Sequence, residues 1–288
     1  MLTVNLFDEA FRHLTCSVHG KTAKHIEYVR DEQTWDGITI LTDSYLEKWY
    51  LGSAVLKSRK TIGWLLEPRE YAPQNYDGAE RCLEPGTSSL VSYADQLDLL
   101  LTHDQTLLNL YPEKAVFVPF GGCWIQSDNI RMWPKFKKVS HIYSGKNFME
   151  GHKLRHEAAR RFPQVDTFGR GTPRVLAHKE AGLTEYRFSL VIENSRARNF
   201  FTEKLLDCMA VGTVPIYWGC PNIGDFFDPT GIIEVDDIDH LGRILEAIER
   251  HPDDIYQAHK DAAIRNLATM RQYEITDDWI ALNVLEKL

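Results

Sequence analysis

Long hydrophobic runs are missing from this chain of 288 residues. A membrane helix needs about 20 consecutive apolar residues, and the greasiest stretch, Leu97 to Leu110, is broken by Asp98, His103, Asp104 and Gln105. The opening MLTVNLFDEAF lacks a basic stretch followed by an apolar one, so no secretory signal is read there. A soluble, cytoplasmic protein with no integral membrane segment is therefore expected. Cysteine is scarce too. Cys16, Cys82, Cys123, Cys208 and Cys220 are odd in number and widely spaced, with no CxxC pair, which argues against a disulfide framework or a thiolate zinc site. Isolated cysteines usually act as small buried hydrophobes, and the pattern suits a reducing compartment. Positive charge is in deficit, with 33 Lys and Arg against 41 Asp and Glu and a net charge of -8. That sign repels phosphate backbones, and the one basic concentration, in 152–174, is too small for a duplex footprint, so no nucleic acid partner is expected. The GxSxG signature of a serine hydrolase elbow is also lacking, and no second carboxylate is placed by sequence for glycoside hydrolysis.

What the chain does contain is an ordinary globular composition, 43% hydrophobic and 26% charged, at a length that suits two domains. The polar, proline-containing segment 126–137 reads as the linker, giving domains 1–130 and 131–288, with a last helix over about 277–288 packing back on the first domain. In the second half, strand-like runs at Val139–Tyr143, Val165–Phe168, Phe188–Glu193, Thr213–Trp218 and Gly231–Val235 alternate with helical runs at Glu150–Phe162, Thr202–Ala210, Ile238–Arg250 and Asp253–Met270. Pro215 suits only the start or edge of its strand. In the first half, strands are expected at Thr3–Phe7, Gly37–Thr42, Thr61–Leu66, Leu97–Thr102 and Ala115–Val118, with helices at Asp43–Tyr50 and Gln105–Leu110 between them. Alternation of this kind predicts α/β domains with parallel sheets, whose ligands sit at the strands' carboxyl ends.

The most informative stretch is FSLVIENSRARNFFTEKLLDCMAVGTVPIYWG, residues 188–219. A buried strand runs into the polar loop 193–199, and a helix opens near Thr202, where free backbone N–H groups would form an anion site. Lys204 stands in the first helical turn. A cation there opposes the helix dipole by about 0.3–1 kcal/mol unless an anion lies between them. The run resembles the donor-binding motif of the family 10 α-1,3-fucosyltransferases, through Glu193, Asn194, Ser195, Thr202, Glu203, Lys204, Gly212, Thr213, Val214, Pro215 and Gly219, and the similarity continues into IIEVDDI at 232–238. The resemblance implies a GT-B-like fold, two Rossmann-like domains facing a central cleft, with GDP-fucose held by the C-terminal one. It implies that Glu203 binds the ribose or the sugar, that Lys204 neutralises the diphosphate, and that Asn194 and Ser195 line the same pocket. The family usually has tyrosine where this chain has Phe200, so one hydroxyl contact to the donor is lost. VDTFGRG at 165–171 is similar to another family element and supports the register in which Arg155 is the diphosphate-facing arginine, with Lys153 as the alternative. Arg198 is expected to assist from the 193–199 loop.

Sugar transfer builds negative charge on the leaving GDP and requires a base for the acceptor hydroxyl. The run TIGWLL ends at Glu67-Pro68-Arg69-Glu70, which places a carboxylate just past a strand. By resemblance to the family's base, Glu67 takes that role, with Glu70 as the alternate. Trp64 and Tyr71 are candidate aromatic walls for an acceptor sugar, or else core. The implied function is an inverting, metal-independent fucosyltransferase with no cofactor, a GDP-sugar donor and an oligosaccharide acceptor, with α-1,3 linkage to N-acetylglucosamine as the family expectation. The other readings are a transferase for another GDP-sugar, a non-catalytic sugar-nucleotide or glycan-binding protein, and a metal-dependent enzyme using Asp236, Asp237 and Asp239. Helix capping is the better account of those acids. His103 and Asp104 are read likewise as turn or capping residues.

Overall fold

The two halves of the chain each form a parallel sheet. In the computed structural model, residues 1–8, 16–18, 20–43, 45–46, 58–73, 76 and 93–288 are described. Cys82 and most of the helix expected over Asp43–Tyr50 lie outside them. The chain separates into two compact units. The first comprises Met1–Gly121, Arg198–Phe200 and Ile275–Leu288, and the second comprises Gly122–Ala197 and Phe201–Glu274. The division thus falls at Gly121/Gly122, ahead of the boundary expected at 130.

The first unit contains β1 (Leu2–Phe7), β2 (Ile26–Arg30), β3 (Ile38–Thr42), β4 (Lys60–Trp64), β5 (Leu99–Thr102) and β6 (Ala115–Phe117) in the order β2-β1-β3-β4-β5-β6, every pair parallel. Parallel strands are covered on both faces and so read as continuous apolar runs. All five residues of β3 are buried. One core holds Val4, Ile40, Ile62 and Leu101 and takes in Ile280 and Ala281. A second holds Phe7, Leu41, Leu100 and Leu107. β2 is absent from the sequence-based expectation. It is an edge strand, HIEYVRDE in context, and only Ile26 in it is fully buried, so no apolar run marks it. The helix α1 (Gln105–Leu110) is capped by Asp104, whose Oδ1 accepts the Leu107 N–H at 2.9 Å.

The second unit contains β7 (Lys137–Ile142), β8 (Asp166–Phe168), β9 (Tyr186–Ile192), β10 (Val214–Trp218) and β11 (Ile233–Glu234) in the order β11-β10-β9-β7-β8, again all parallel. Pro215 sits near the start of β10, before pairing with β11 begins at Ile216, so its missing N–H breaks no ladder bond there. The helices are α2 (Glu150–Arg161), α3 (Glu203–Ala210), α4 (Ile238–Arg250) and α5 (Pro252–Met270), and they cover a core that includes Phe188, Leu190, Val214, Ile216 and Leu245. From β7 the chain proceeds to β8 on one flank, while β9 leads to β10 and β11 on the other. The order therefore reverses between β7 and β9, and in open α/β sheets the crevice beyond the carboxyl ends at such a point is where ligands bind. In this unit the crevice is bounded by the loop from Tyr143 to Met149 and by the loop beginning at Glu193.

The last helix, α6 (Thr276–Asn283), belongs to the first unit. Its buried Asp277 accepts the Ser17 N–H and hydroxyl and the Tyr28 hydroxyl, and Asp278 accepts the N–H groups of Lys24 and His25. No helix among the described residues is long and apolar enough to cross a membrane.

Candidate active site

The start of α2 is docked onto the loop after β9. Gly151 donates its N–H to the Asn194 carbonyl at 3.1 Å. A Cβ at residue 151 would lie 1.8 Å from the Glu193 carbonyl oxygen and 2.8 Å from that of Asn194, so only glycine permits this approach. One helical turn on, Arg155 is 4% exposed and turns back under the same loop. Its Nε and Nη2 donate to the Ile192 carbonyl, and Nη2 also donates to Asn194 Oδ1 at 2.9 Å. A guanidinium only donates, so the Asn194 atom it meets is the amide oxygen, which leaves the NH2 as the group Asn194 offers a ligand. Nη1 is the guanidinium nitrogen that neither Ile192 nor Asn194 engages. Lys153, the alternative by sequence, is exposed.

Across the loop, Glu193 is fully buried and clamps the start of α3. Its Oε1 accepts the Thr202 N–H at 2.9 Å and its Oε2 accepts the Thr202 hydroxyl at 2.7 Å. Thr202 is the N-cap, and its Oγ1 receives the Lys204 N–H at 3.3 Å and Lys204 Nζ at 2.9 Å. The expectation of free amides at this helix start is therefore corrected. The protein's own carboxylate and hydroxyl take the Thr202 and Lys204 N–H groups, so anion binding here falls to side chains rather than to the helix terminus. Gly219 makes room for the clamp, since a Cβ there would lie 2.6 Å from Glu193 Cγ.

Lys204 Nζ lies 3.1 Å from Glu203 Oε1 and 3.5 Å from Glu193 Oε2, with 24% of its side chain exposed. Burial would raise the Glu203 carboxyl, but Lys204 and then Lys179 overcome it and hold the group down at about 2. Glu203 is therefore an ionised acceptor suited to hydroxyl groups. His152 marks where the cations meet. Burial, followed by the charges of Arg155, Lys146 and Lys204, pushes its imidazole down to about 4, with the Asn194 side chain opposing the shift. Two helices, through Arg155 and Lys204, and one loop, through Lys146, thus bring positive charge to bear on one buried, neutral imidazole. Ser195 is 4% exposed, and its Oγ has no hydrogen-bond partner. A buried, unsatisfied hydroxyl is costly unless a ligand completes it.

Of the residues singled out from sequence, Asn194, Ser195, Glu203, Lys204 and Arg155 come together in the second unit. Two do not join them. Phe200 was expected among the donor contacts, but it is fully buried and stacks on Phe120 (5.6 Å) and His103 (4.9 Å) in the first unit, so it packs a core. Arg198 is exposed and groups with the same unit. The loop changes unit because Asn199, at φ +62, anchors there through Gln105 Oε1 at 2.9 Å. Lys146, His152 and Lys179 carry no motif, and their convergence depends on long-range packing. Asp237 caps α4 by accepting the Asp239 and His240 N–H groups, and Asp236 pairs with Arg196 at 2.8 Å.

In the first unit, Glu67 follows β4 and is half-buried, its carbonyl accepting the Tyr76 hydroxyl at 2.7 Å, while Glu70 is exposed. Arg69, anchored on Asp104 at 2.9 Å and 4.6 Å from the Tyr76 ring, fixes this loop. Trp64 is 3% exposed within the core, so its candidacy as an acceptor wall is withdrawn, whereas Tyr71 is 38% exposed. Behind Glu67 stands Asp43, a non-glycine residue at φ +35. Its Oδ1 accepts the Leu66 N–H at 3.0 Å. Burial pushes its carboxyl up to about 7, the Leu66 amide opposes this, and the charges of Glu67 and Asp8 add to it.

That shift has a definite sign. Folded Asp43 holds a proton that the unfolded chain releases above pH ~4, so this stability is complete below pH ~4 and is lost as pH rises through about 7. Urea unfolding of Asp43→Asn between pH 4.5 and 7 is expected to lack a decline of up to ~1.4 kcal/mol per pH unit present in the native chain. Equal slopes in the two proteins would assign the proton elsewhere.

Two parallel α/β units, the second with cationic side chains at its switch point, give the chain a fold of the GT-B type. The fold is similar to a crystal structure of an α1,3-fucosyltransferase, with a TM-score of 0.54 at 14% identity, covering 92% of this chain and 81% of that one. Residues 133–271 match the model of the glycosyltransferase family 10 (fucosyltransferase) C-terminal domain. The α-(1,3)-fucosyltransferase FucT of Helicobacter pylori is 32% identical over 72 residues, 25% of this chain and 15% of that protein. The GDP-fucose protein O-fucosyltransferase 3 of Bos taurus is 35% identical over 81 residues, 27% of this chain and 17% of that protein. The matched stretches therefore span less than a fifth of either relative.

Proposed function

We propose that this protein transfers L-fucose, with inversion, from GDP-fucose to a glycan hydroxyl, forming an α-1,3 linkage to N-acetylglucosamine. The observation that carries the reading is the Arg155–Asn194 contact and the Glu203–Lys204 pair on either side of the loop after β9, with the charges of Lys146, Arg155 and Lys204 all felt at His152, within the segment that matches the fucosyltransferase domain. The names of both relatives specify fucose, and that of the bovine protein specifies GDP-fucose as well.

In this reading Lys204 and Lys146 balance the diphosphate, with Arg155 Nη1 adding a donor, and the charge growing on departing GDP is stabilised by groups already in place. The Asn194 NH2 and the Ser195 hydroxyl add hydrogen bonds. Glu203 accepts from ribose or sugar hydroxyls. Glu67 takes the acceptor proton, as single-displacement inversion requires one base and no covalent intermediate. Cationic side chains supply the counter-charge, so no obligatory metal is invoked.

The test is thermal unfolding with a panel of sugar nucleotides in excess EDTA. GDP and GDP-fucose are expected to stabilise the chain by about 2.7 kcal/mol at one hundred times Kd, and Lys204→Ala is expected to abolish most of that gain. A response only after metal is restored defeats the metal-free reading. Stabilisation by GDP-mannose but not GDP-fucose reassigns the donor, and silence toward every guanine nucleotide refutes the proposal.

A further inference from the structure

Lys179 lies between the stretches 165–171 and 193–238 that carry the resemblance, in a short turn, Lys179–Gly182. Its Nζ is 2.6 Å from Asp207 Oδ2 and 3.8 Å from Glu203 Oε1, and it stands 4.2 Å from the centre of the Trp124 ring. The other Asp207 oxygen accepts the Trp124 N–H at 2.6 Å. Beyond Glu203 the sequence of charges continues to Lys204 at 3.1 Å and from there to Glu193 at 3.5 Å. Asp207, Lys179, Glu203, Lys204 and Glu193 therefore alternate in sign across the start of α3. The terminal carboxylates are sealed, with side-chain exposures of 1% and 0%, whereas Lys179, Glu203 and Lys204 retain 26%, 15% and 24%.

We propose that Lys179 is a positioning residue of the donor site, which keeps Glu203 charged and in place when Lys204 turns to an anionic ligand. The inference rests on the reading that Lys204 meets the donor diphosphate. Lys204 already serves two carboxylates. When it is drawn to a diphosphate, Glu203 loses its nearest counter-ion, and a largely buried carboxylate without a partner is strongly unfavourable. It would also repel the incoming anion. Lys179 removes both penalties, because Asp207 and Trp124 hold it behind Glu203 while Lys204 moves. Asp207 thus anchors the anchor, and α3 presents Glu203 and Lys204 with their charges balanced from behind.

GDP affinity of the full chain, measured by calorimetry, tests this. Removing Lys179 alone would also strand Asp207, so Lys179→Met is made together with Asp207→Asn, which keeps an oxygen for the Trp124 N–H, and is compared with Asp207→Asn alone. The pair is expected to bind GDP at least about tenfold more weakly than Asp207→Asn. Glu203→Gln is expected to cost less GDP affinity in the pair than in Asp207→Asn alone, since in the pair it also removes the stranded charge. Lys179→Arg in the native background is expected to bind like the native chain and keeps the question open to measurement if the pair does not fold. An unchanged affinity on losing Lys179, a loss from Glu203→Gln at least as large in the pair as in Asp207→Asn alone, or a folded Lys179→Arg that has lost GDP binding overturns the inference alone. A native chain that binds no GDP overturns the donor-site reading, and this inference with it.

Discussion

Glu67→Gln is expected to lower kcat by about 10²–10⁴-fold and to leave GDP-fucose affinity unchanged. Glutamine has nearly the same shape, and the contact that ties residue 67 to Tyr76 runs through the backbone carbonyl, so the loop after β4 keeps its anchor. What disappears is the carboxylate proposed to take the acceptor's proton. A loss confined to kcat is the signature of an interaction realised only as the reaction proceeds. Glu70→Gln is the matched control: Glu70 is exposed and is expected to change little. If the loss appears at Glu70 and not at Glu67, the base is reassigned. If neither substitution matters and the native chain turns nothing over while binding GDP-fucose, the protein is a binding module.

Gly151→Ala is expected to disrupt the donor pocket as a whole. The added methyl group would stand 1.8 Å from the Glu193 carbonyl oxygen, a backbone atom that no rotamer change can remove. Either α2 withdraws, breaking the Gly151–Asn194 hydrogen bond and shifting Arg155 from the Ile192 carbonyl, or the loop is pushed out, loosening the Glu193 clamp on Thr202. Overpacking of this kind costs about 1–3 kcal/mol, and misplacement of about 1 Å in a positioning loop costs about 100-fold in function. Gly145→Ala, on the neighbouring loop, would meet nothing nearer than 3.8 Å and is expected to be tolerated. Urea unfolding and GDP calorimetry of the two variants test the contrast. A Gly151→Ala protein that binds GDP as the native chain does would show that the docking of α2 on this loop does not shape the pocket.

Several features of the donor half could be read without coordinates because they are local. The apolar run ending at Ile192, the polar loop and the Thr-Glu-Lys helix start follow one another within a few residues, and the helix expected from Thr202 begins at Glu203 with Thr202 as its N-cap. Asp104 and Asp237 also cap their helices, and the strands covered on both faces announced themselves by continuous hydrophobicity. β2 gave no such signal because only Ile26 in it is fully buried.

Other features depended on residues far apart in the chain. Nothing near Arg155 says that its guanidinium will bind the Ile192 carbonyl and orient Asn194. Nothing near Phe200 says that it will stack on His103 and Phe120, or near Trp64 that it is core rather than surface. The amides at the start of α3 are occupied because Glu193, nine residues before Thr202 in the chain, folds back onto them. By itself, the sequence determined the order of the strands other than β2, the capping roles of Asp104 and Asp237, and the polar and cationic residue types that follow β9. Only the tertiary structure decided which of those side chains meet, because burial, charge balance and hydrogen-bond partners are set by the segments that packing brings together, and sequence spacing does not encode that neighbourhood.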